Sequence, residues 1–242
     1  MRWAILSDVH GNLESFRAVI EDLRGEKVER VAYLGDVVGY GADPNDCLTL
    51  LEGLTDWVVA GNHDYGSIGL TDIDVFNPSA RSAILWTRDQ LLPENRIYLR
   101  NLLLRRQIGE ITFVHATPNQ PEDWNYIFTF PEAEEAFQSL TGGLAFIGHS
   151  HRPLILAKEK DSEVRVIDHE EVILESGIRY IINVGSVGQP RDGHPEAAYG
   201  LYDETVKAYR LKRVDYDVAT AQKKIIKAGL PSFLAQRLSR GI

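Results

Sequence analysis

Five times along this chain a short apolar segment of strand character stops at a knot of Asp, His or Asn: "AILSDVHG", "VAYLGDVV", "WVVAGNHD", "ITFVHATP" and "LAFIGHSH". No other feature narrows the fold so far. Strands that are apolar along their length and polar only where they end suit a buried sheet whose carboxyl ends line one edge. In open α/β sheets that edge is where groups remote in sequence meet a ligand.

The first third supplies the helices such a sheet needs. "RWAILSDV" reads as a buried strand, and "NLESFRAVIEDLRG" follows with Asn12 as N-cap. Leu13, Phe16, Val19, Ile20 and Leu23 fall at helical spacing, and Gly25 stands where the helix stops. "RVAYLGD" is a second strand, "PNDCLTLLEG" a second helix and "DWVVAGN" a third strand. This alternation predicts right-handed crossovers and parallel pairing. Residues 66–105 read as a mostly helical arm or cap. After them come short alternating segments, from "GEITFVHA" to "VKAYRLKRV", with "KEKDSE" as a hairpin turn, which predicts a mixed or antiparallel sheet. C-terminal helices over 218–240, broken at Pro231, complete one domain, 1–242, with no repeat or linker.

Charge and cysteine usage exclude several classes. The net charge of -9 repels a polyanion, which disfavours duplex nucleic acid as a partner and a nuclease as the function. Cys47 is the single cysteine, so no intramolecular disulfide forms, as expected of the cytoplasm. No apolar run approaches the ~18 residues of a membrane span, so no membrane segment is expected. A homo-oligomer is left open.

The polar knots offer carboxylate, amide and imidazole donors without thiolates, a set suited to borderline divalent metals. On extended backbone, residues i and i+2 share a side, so Asp8 with His10, and His149 with His151, are each expected to address one site.

"D-x-H" at Asp8 and His10, "G-D" at Asp36, "G-N-H-D" from Gly61 to Asp64, His115 after a strand, and "G-H-S-H" from Gly148 to His151 together resemble the calcineurin-like metallophosphoesterases. "NVGSVGQPRDG" is similar to a glycine-rich segment of the small prokaryotic branch. The resemblance implies a four-layer α/β/β/α sandwich, two mixed sheets flanked by helices. It also implies two divalent ions, manganese ahead of iron, zinc, nickel or cobalt. One ion would take Asp8, His10 and His151 and the other Asn62, His115 and His149, with Asp36 bridging and a hydroxide held between them. His63 would be the general acid and Asp64 its orienting partner. The implied function is hydrolysis of a small phosphorylated substrate, nucleotides included, diesters ahead of monoesters. A non-catalytic scaffold of the same fold is the alternative, although the scaffold relative lacks the acid histidine that His63 supplies here.

One departure matters. Family members acting on phosphoproteins and dinucleoside tetraphosphates carry "G-D-x-V-D-R-G", where this chain has "GDVVGYG", with Gly39 and Tyr40 replacing Asp and Arg. A phenol cannot do the work of a guanidinium. Arg191 is a candidate for the missing cation, or else part of a plain turn in "QPRDG". Asn119 and Gln120 are candidate polar contacts. The alternating Trp124, Tyr126, Phe128 and Phe130 read first as the buried face of a strand and second as a base-stacking platform. His169 reads as a surface residue.

Overall fold

A computed structural model describes residues 1–242. The first crossover runs from β1 (Arg2–Leu6) through α1 (Leu13–Leu23) to β2 (Arg30–Tyr33), parallel to β1, and on to α2 (Pro44–Leu54). Asn12 caps α1 by accepting from Ser15 N. Next comes α3 (Asn62–Ser67), followed by α4 (Pro78–Gln90) and α5 (Pro93–Arg100), the two helices that lie within the arm segment. The expected third strand at "DWVVAGN" is reduced to isolated bridges, Tyr33 with Val58 and Val59 with Leu103.

The second half supplies β3 (Arg105–Ile108), β4 (Ile111–Val114), α6 (Phe130–Ser139), β5 (Leu144–Ile147), β6 (Leu154–Glu159), β7 (Arg165–Ile167), β8 (Glu171–Ile173), β9 (Ile178–Asn183), β10 (Ala197–Asp203) and β11 (Ala208–Val214). The chain ends in α7 (Val218–Lys227) and α8 (Ser232–Gln236), with Pro231 between them. One sheet has the order β2-β1-β10-β11-β8, the other β3-β4-β5-β9-β6-β7. Both are mixed, since β1–β2, β4–β5 and β5–β9 are parallel and the other pairs antiparallel.

Strand alternation builds the layers. On β1, Trp3 and Ile5 join Phe113, Phe146, Ile182 and Tyr209 in the core between the sheets. Ala4 and Leu6 point the other way, into a cluster with Phe16 and Val19 of α1 and Leu48 and Leu51 of α2. On the far side, Ala133, Ala136 and Phe137 of α6 cover Ala145, Ile147 and Ile181. Helices, sheet, sheet and helix follow in that order, the α/β/β/α sandwich. No helix is long and apolar enough to cross a membrane.

Candidate metal centre

Asp8 and His10 follow β1, Asp36 follows β2, Asn62 and His63 open α3, His115 follows β4, and His149 and His151 follow β5. All are buried. His10 Nε2 lies 3.0 Å from His151 Nε2, and the two stand 3.6 and 3.3 Å from Asp8 Oδ1. His115 Nε2 lies 3.1 Å from His149 Nδ1 and 3.2 Å from Asn62 Oδ1. Asp36 Oδ2 stands between the groups, 3.6 Å from His10 Nε2 and 3.2 Å from His115 Nε2. Asp8, His10 and His151 have metal-ligand spacing, as do Asp36, His115 and His149; a third set, His10, Asp36 and His63, overlaps both. A site able to bind two divalent ions is present.

Each of four imidazoles gives its remote N–H to a main-chain carbonyl. His10 Nδ1 donates to Val38 O at 3.0 Å, His115 Nδ1 to Leu34 O at 2.6 Å, His151 Nδ1 to Gln189 O at 2.6 Å, and His149 Nε2 to Trp124 O at 2.8 Å. These bonds fix the tautomers, so that each ring, when neutral, turns a lone pair toward the centre. Asp8 Oδ2 accepts from His149 N at 3.1 Å, while Asp8 Oδ1 is buried with no hydrogen-bond partner. A buried carboxylate oxygen left open among imidazole nitrogens is costly unless a cation meets it. The donor set therefore fits borderline divalent metals.

The charges of the metal-free chain agree. Burial works to raise the Asp8 and Asp36 carboxyls, but His151 beside the first and His115 beside the second hold both below the carboxylate range. Burial pulls His149 and His151 down to about 3, the neutral form a metal requires. His115 is the exception: the Asp36 charge outweighs burial and lifts it to about 9, so this ring keeps a second proton that a metal ion would have to displace.

Backbone conformation corrects the extended-strand expectation. Asp8, His10, Asp36, His149 and His151 have φ of 56, 51, 58, 67 and 59°, in the left-handed region. The i, i+2 pairs share a site because alternate residues turn left-handed, not because the pleat continues. Each such residue costs roughly 1–3 kcal/mol and persists only where its surroundings hold it. Here Asp8 N donates to Gly35 O at 3.0 Å, His10 N to Asp36 O at 2.9 Å and Gly188 N to Asp8 O at 2.9 Å. Gly61 is required by close approach, since a Cβ there would run into Asp36 Oδ1.

The sequence model of the calcineurin-like phosphoesterase superfamily domain matches residues 1–206. The chain belongs to this superfamily. A protein of Methanocaldococcus jannaschii designated MJ0912 is 40% identical over 244 residues, spanning 98% of this chain and 97% of that one. A metallophosphoesterase of Sphaerobacter thermophilus with a solved structure is 40% identical, with a TM-score of 0.87 over 100% of this chain and 99% of that one. The protein PH1004 of Pyrococcus horikoshii OT3, at 21% identity, shares the fold, with a TM-score of 0.79 over 100% and 98% of the two chains. Family and site together make the chain a metal-dependent hydrolase.

The other residues of this phosphoesterase singled out in sequence fall differently. Asp64 does not orient His63, because its oxygens accept from the N–H groups of Asp36, Val37, Val38 and Gly61. Its carboxylate holds the Asp36 loop against the start of α3. His63 N donates to Asp36 Oδ1 at 2.8 Å, and the His63 ring packs 4.7 Å from that of His10, with its Nδ1 buried and unpartnered. Burial pushes its pKa well down, opposed by the Asp36 charge, so the ring is neutral in the metal-free site at neutral pH rather than protonated. Tyr40 is buried against His10 and His63, with ring centroids 4.6 and 4.4 Å away, and the Arg191 guanidinium lies 5.6 Å over it. Asn119 makes no hydrogen bond to the donor residues, and its Oδ1 is buried without a partner. Gln120 and His169 are exposed.

The aromatic segment is not a strand. Left-handed Trp124 breaks its extension at the start, Phe130 opens α6, and Phe128 and Phe130 are exposed at 65 and 58%. Tyr126 stacks on His149 with centroids 4.0 Å apart, and Phe128 stacks on Tyr126 at 4.9 Å. Sequence reasoning missed Gln189, Trp124, Val38 and Leu34 as the residues that orient the imidazoles. They act through main-chain oxygens, which every residue type carries.

Proposed function

We propose that this phosphoesterase hydrolyses esters of a small phosphorylated substrate, diesters ahead of monoesters, with manganese as the first candidate for both ions. Asp8, His10 and His151 would hold one ion, Asn62, His115 and His149 the other, and Asp36 would be shared. When bound, the pair supplies a water acidic enough to act as a nucleophile near neutral pH and offsets charge on the phosphoryl oxygens. The observation that carries this reading is the tautomer set by four main-chain carbonyls, with every bare imidazole nitrogen turned inward.

The remaining work falls to the chain itself. His63, beside His10 and free of a partner at Nδ1, is neutral until a negatively charged substrate arrives. The phosphate charge would then favour the protonated ring, which hands its proton to the leaving oxygen. Phe76, edge-on to His63 at 5.2 Å, brings the arm over the imidazole and limits its access to water. The negative net charge supports a small substrate over a long polyanion, and buried Cys47 agrees with a reducing, cytoplasmic setting.

The test is hydrolysis of bis-p-nitrophenyl phosphate by metal-stripped protein before and after manganese is restored. Activity that appears only with the metal supports the reading. Equal rates in both states, or no turnover with any divalent ion, would favour a metal-binding scaffold of the same fold.

A further inference from the structure

Arg237 lies beyond residue 206, where the match to the superfamily domain ends, yet it reaches the metal-site face. Leu234, Ala235 and Leu238 pack in one cluster with Ala80 and Ala83 of α4 and with Tyr40. The end of the chain is also tied to the loop of Arg191, since Gly193 N donates to Gly241 O at 2.9 Å. Arg237 Nη1 donates to Gln189 Oε1 at 2.8 Å, and Arg191 Nη2 donates to the same oxygen at 2.9 Å.

Two half-buried guanidiniums thus share one neutral acceptor. Neither makes an ion pair with Asp or Glu, although five other arginines do. Arg237 Nε is satisfied by the main-chain oxygen of Ile242, but Arg191 Nε is buried with no partner. Burial, and then the Arg191 charge, pull the Arg237 pKa down to about 10. Like charges gathered in this way are costly unless an anion joins them. Their position says where that anion belongs. Arg191 lies over Tyr40, whose ring abuts His10 and His63, so the pair stands beside the metal centre rather than on a remote surface.

We propose that Arg191 and Arg237 form a seat for a second phosphoryl group of the substrate. The substrate class is then a phosphate ester carrying another, terminal phosphate a short distance from the scissile one. This rests on the phosphoesterase reading above. Two guanidinium forks match the oxygens and the double charge of a terminal phosphate better than a single carboxylate, which one fork satisfies. The substrate would thus be held at two points, by the ions at the reacting phosphorus and by the arginines at the other.

The experiment compares the p-nitrophenyl ester of thymidine 5′-phosphate with the same ester bearing a second phosphate on its 3′ oxygen, using manganese-loaded protein. The expected result is a preference for the second ester in kcat/KM, reduced about tenfold or more in Arg237→Gln, mainly through KM. A ratio of the two esters cancels any loss of folded protein. No preference in the wild type, or a preference in Arg237→Gln within about twofold of wild type, overturns the proposal. If neither ester turns over, the phosphoesterase reading fails, and calorimetric titration of the metal-stripped chain with inorganic phosphate still tests the seat. Binding weakened about tenfold or more by Arg237→Gln supports it; equal affinity, or no binding to the wild type, refutes it.

Discussion

Asp64 separates two accounts of "GNHD". In the structure its side chain is fully buried and accepts from Asp36 N at 2.7 Å, Val37 N at 2.9 Å, Val38 N at 3.3 Å and Gly61 N at 2.9 Å. Asp64→Ala strands those donors. Each unsatisfied buried group costs about 1–3 kcal/mol, but a water entering the vacated space can meet two or so of them. The expected loss is therefore about 3–5 kcal/mol, a large share of the roughly 5–15 kcal/mol that stabilises an ordinary domain. Asp64→Asn keeps one oxygen and turns an NH2 group toward N–H donors, for an expected loss of about 2–3 kcal/mol. Urea unfolding of metal-stripped protein, followed by tryptophan fluorescence, reads the loss without metal linkage. If Asp64→Asn unfolds within about 0.5 kcal/mol of wild type yet turns over about 100-fold more slowly, Asp64 serves His63 after all and the structural account is wrong.

Three further outcomes follow from the same geometry. His63→Asn should bind two metal ions per chain, measured by elemental analysis, and hydrolyse esters with poor leaving groups about 100-fold or more slowly; an undiminished rate removes His63 from proton transfer. Gly61→Ala should displace Asp36, which a Cβ would strike, and lower the metal content below that of the wild type; full occupancy would show that the loop can yield. Glu26 lies at a side-chain exposure of 15%, meets Lys212 Nζ at 2.7 Å and Arg2 Nη2 at 3.1 Å, and has its pKa lowered from 4.5, first by the Lys212 hydrogen bond. A depressed folded pKa gives stability that is present above the unfolded value and lost as pH falls through the folded one. Glu26→Gln should therefore cost about 1 kcal/mol at pH 7 and flatten the acid limb of the stability curve; an unchanged urea midpoint at pH 7 argues against it.

The layers and the donor residues were legible because they rest on side-chain type and period. β1 alternates Trp3 and Ile5 against Ala4 and Leu6, and four of the five polar knots stand where a strand stops. The edges were less legible. β3 is "RRQI", polar like many edge strands, and it gives no apolar alternation. "DWVVAGN" has the composition of a strand but finds only single bridges to Tyr33 and Leu103. Trp124 to Phe130 has strand periodicity too, yet Trp124 is left-handed, residues 125–129 join no strand and Phe130 opens α6. Arg237 carries no motif, and only the docking of the C-terminal helices brings it to Gln189.

The division between side chain and main chain also explains how an acidic protein can attract a phosphate. Metal-bound imidazoles are often backed by carboxylates, which would add negative charge around the ions. Here the four remote nitrogens are backed by neutral carbonyls of Val38, Leu34, Gln189 and Trp124, so Asp8 and Asp36 are the only carboxylates turned toward the donor cluster. Two divalent ions, once bound, would outweigh two carboxylates, and Arg191 and Arg237 add positive charge beside them. The field at the loaded centre would then be opposite in sign to the net charge of -9 over the whole chain. Backing by main chain has a structural cost, because a carbonyl can be aimed only by bending its loop. Asp36, left-handed between Leu34 and Val38, and Trp124, itself left-handed, lie in the loops that aim three of the four carbonyls, so in those two loops the strain and the backing of the imidazoles have one origin.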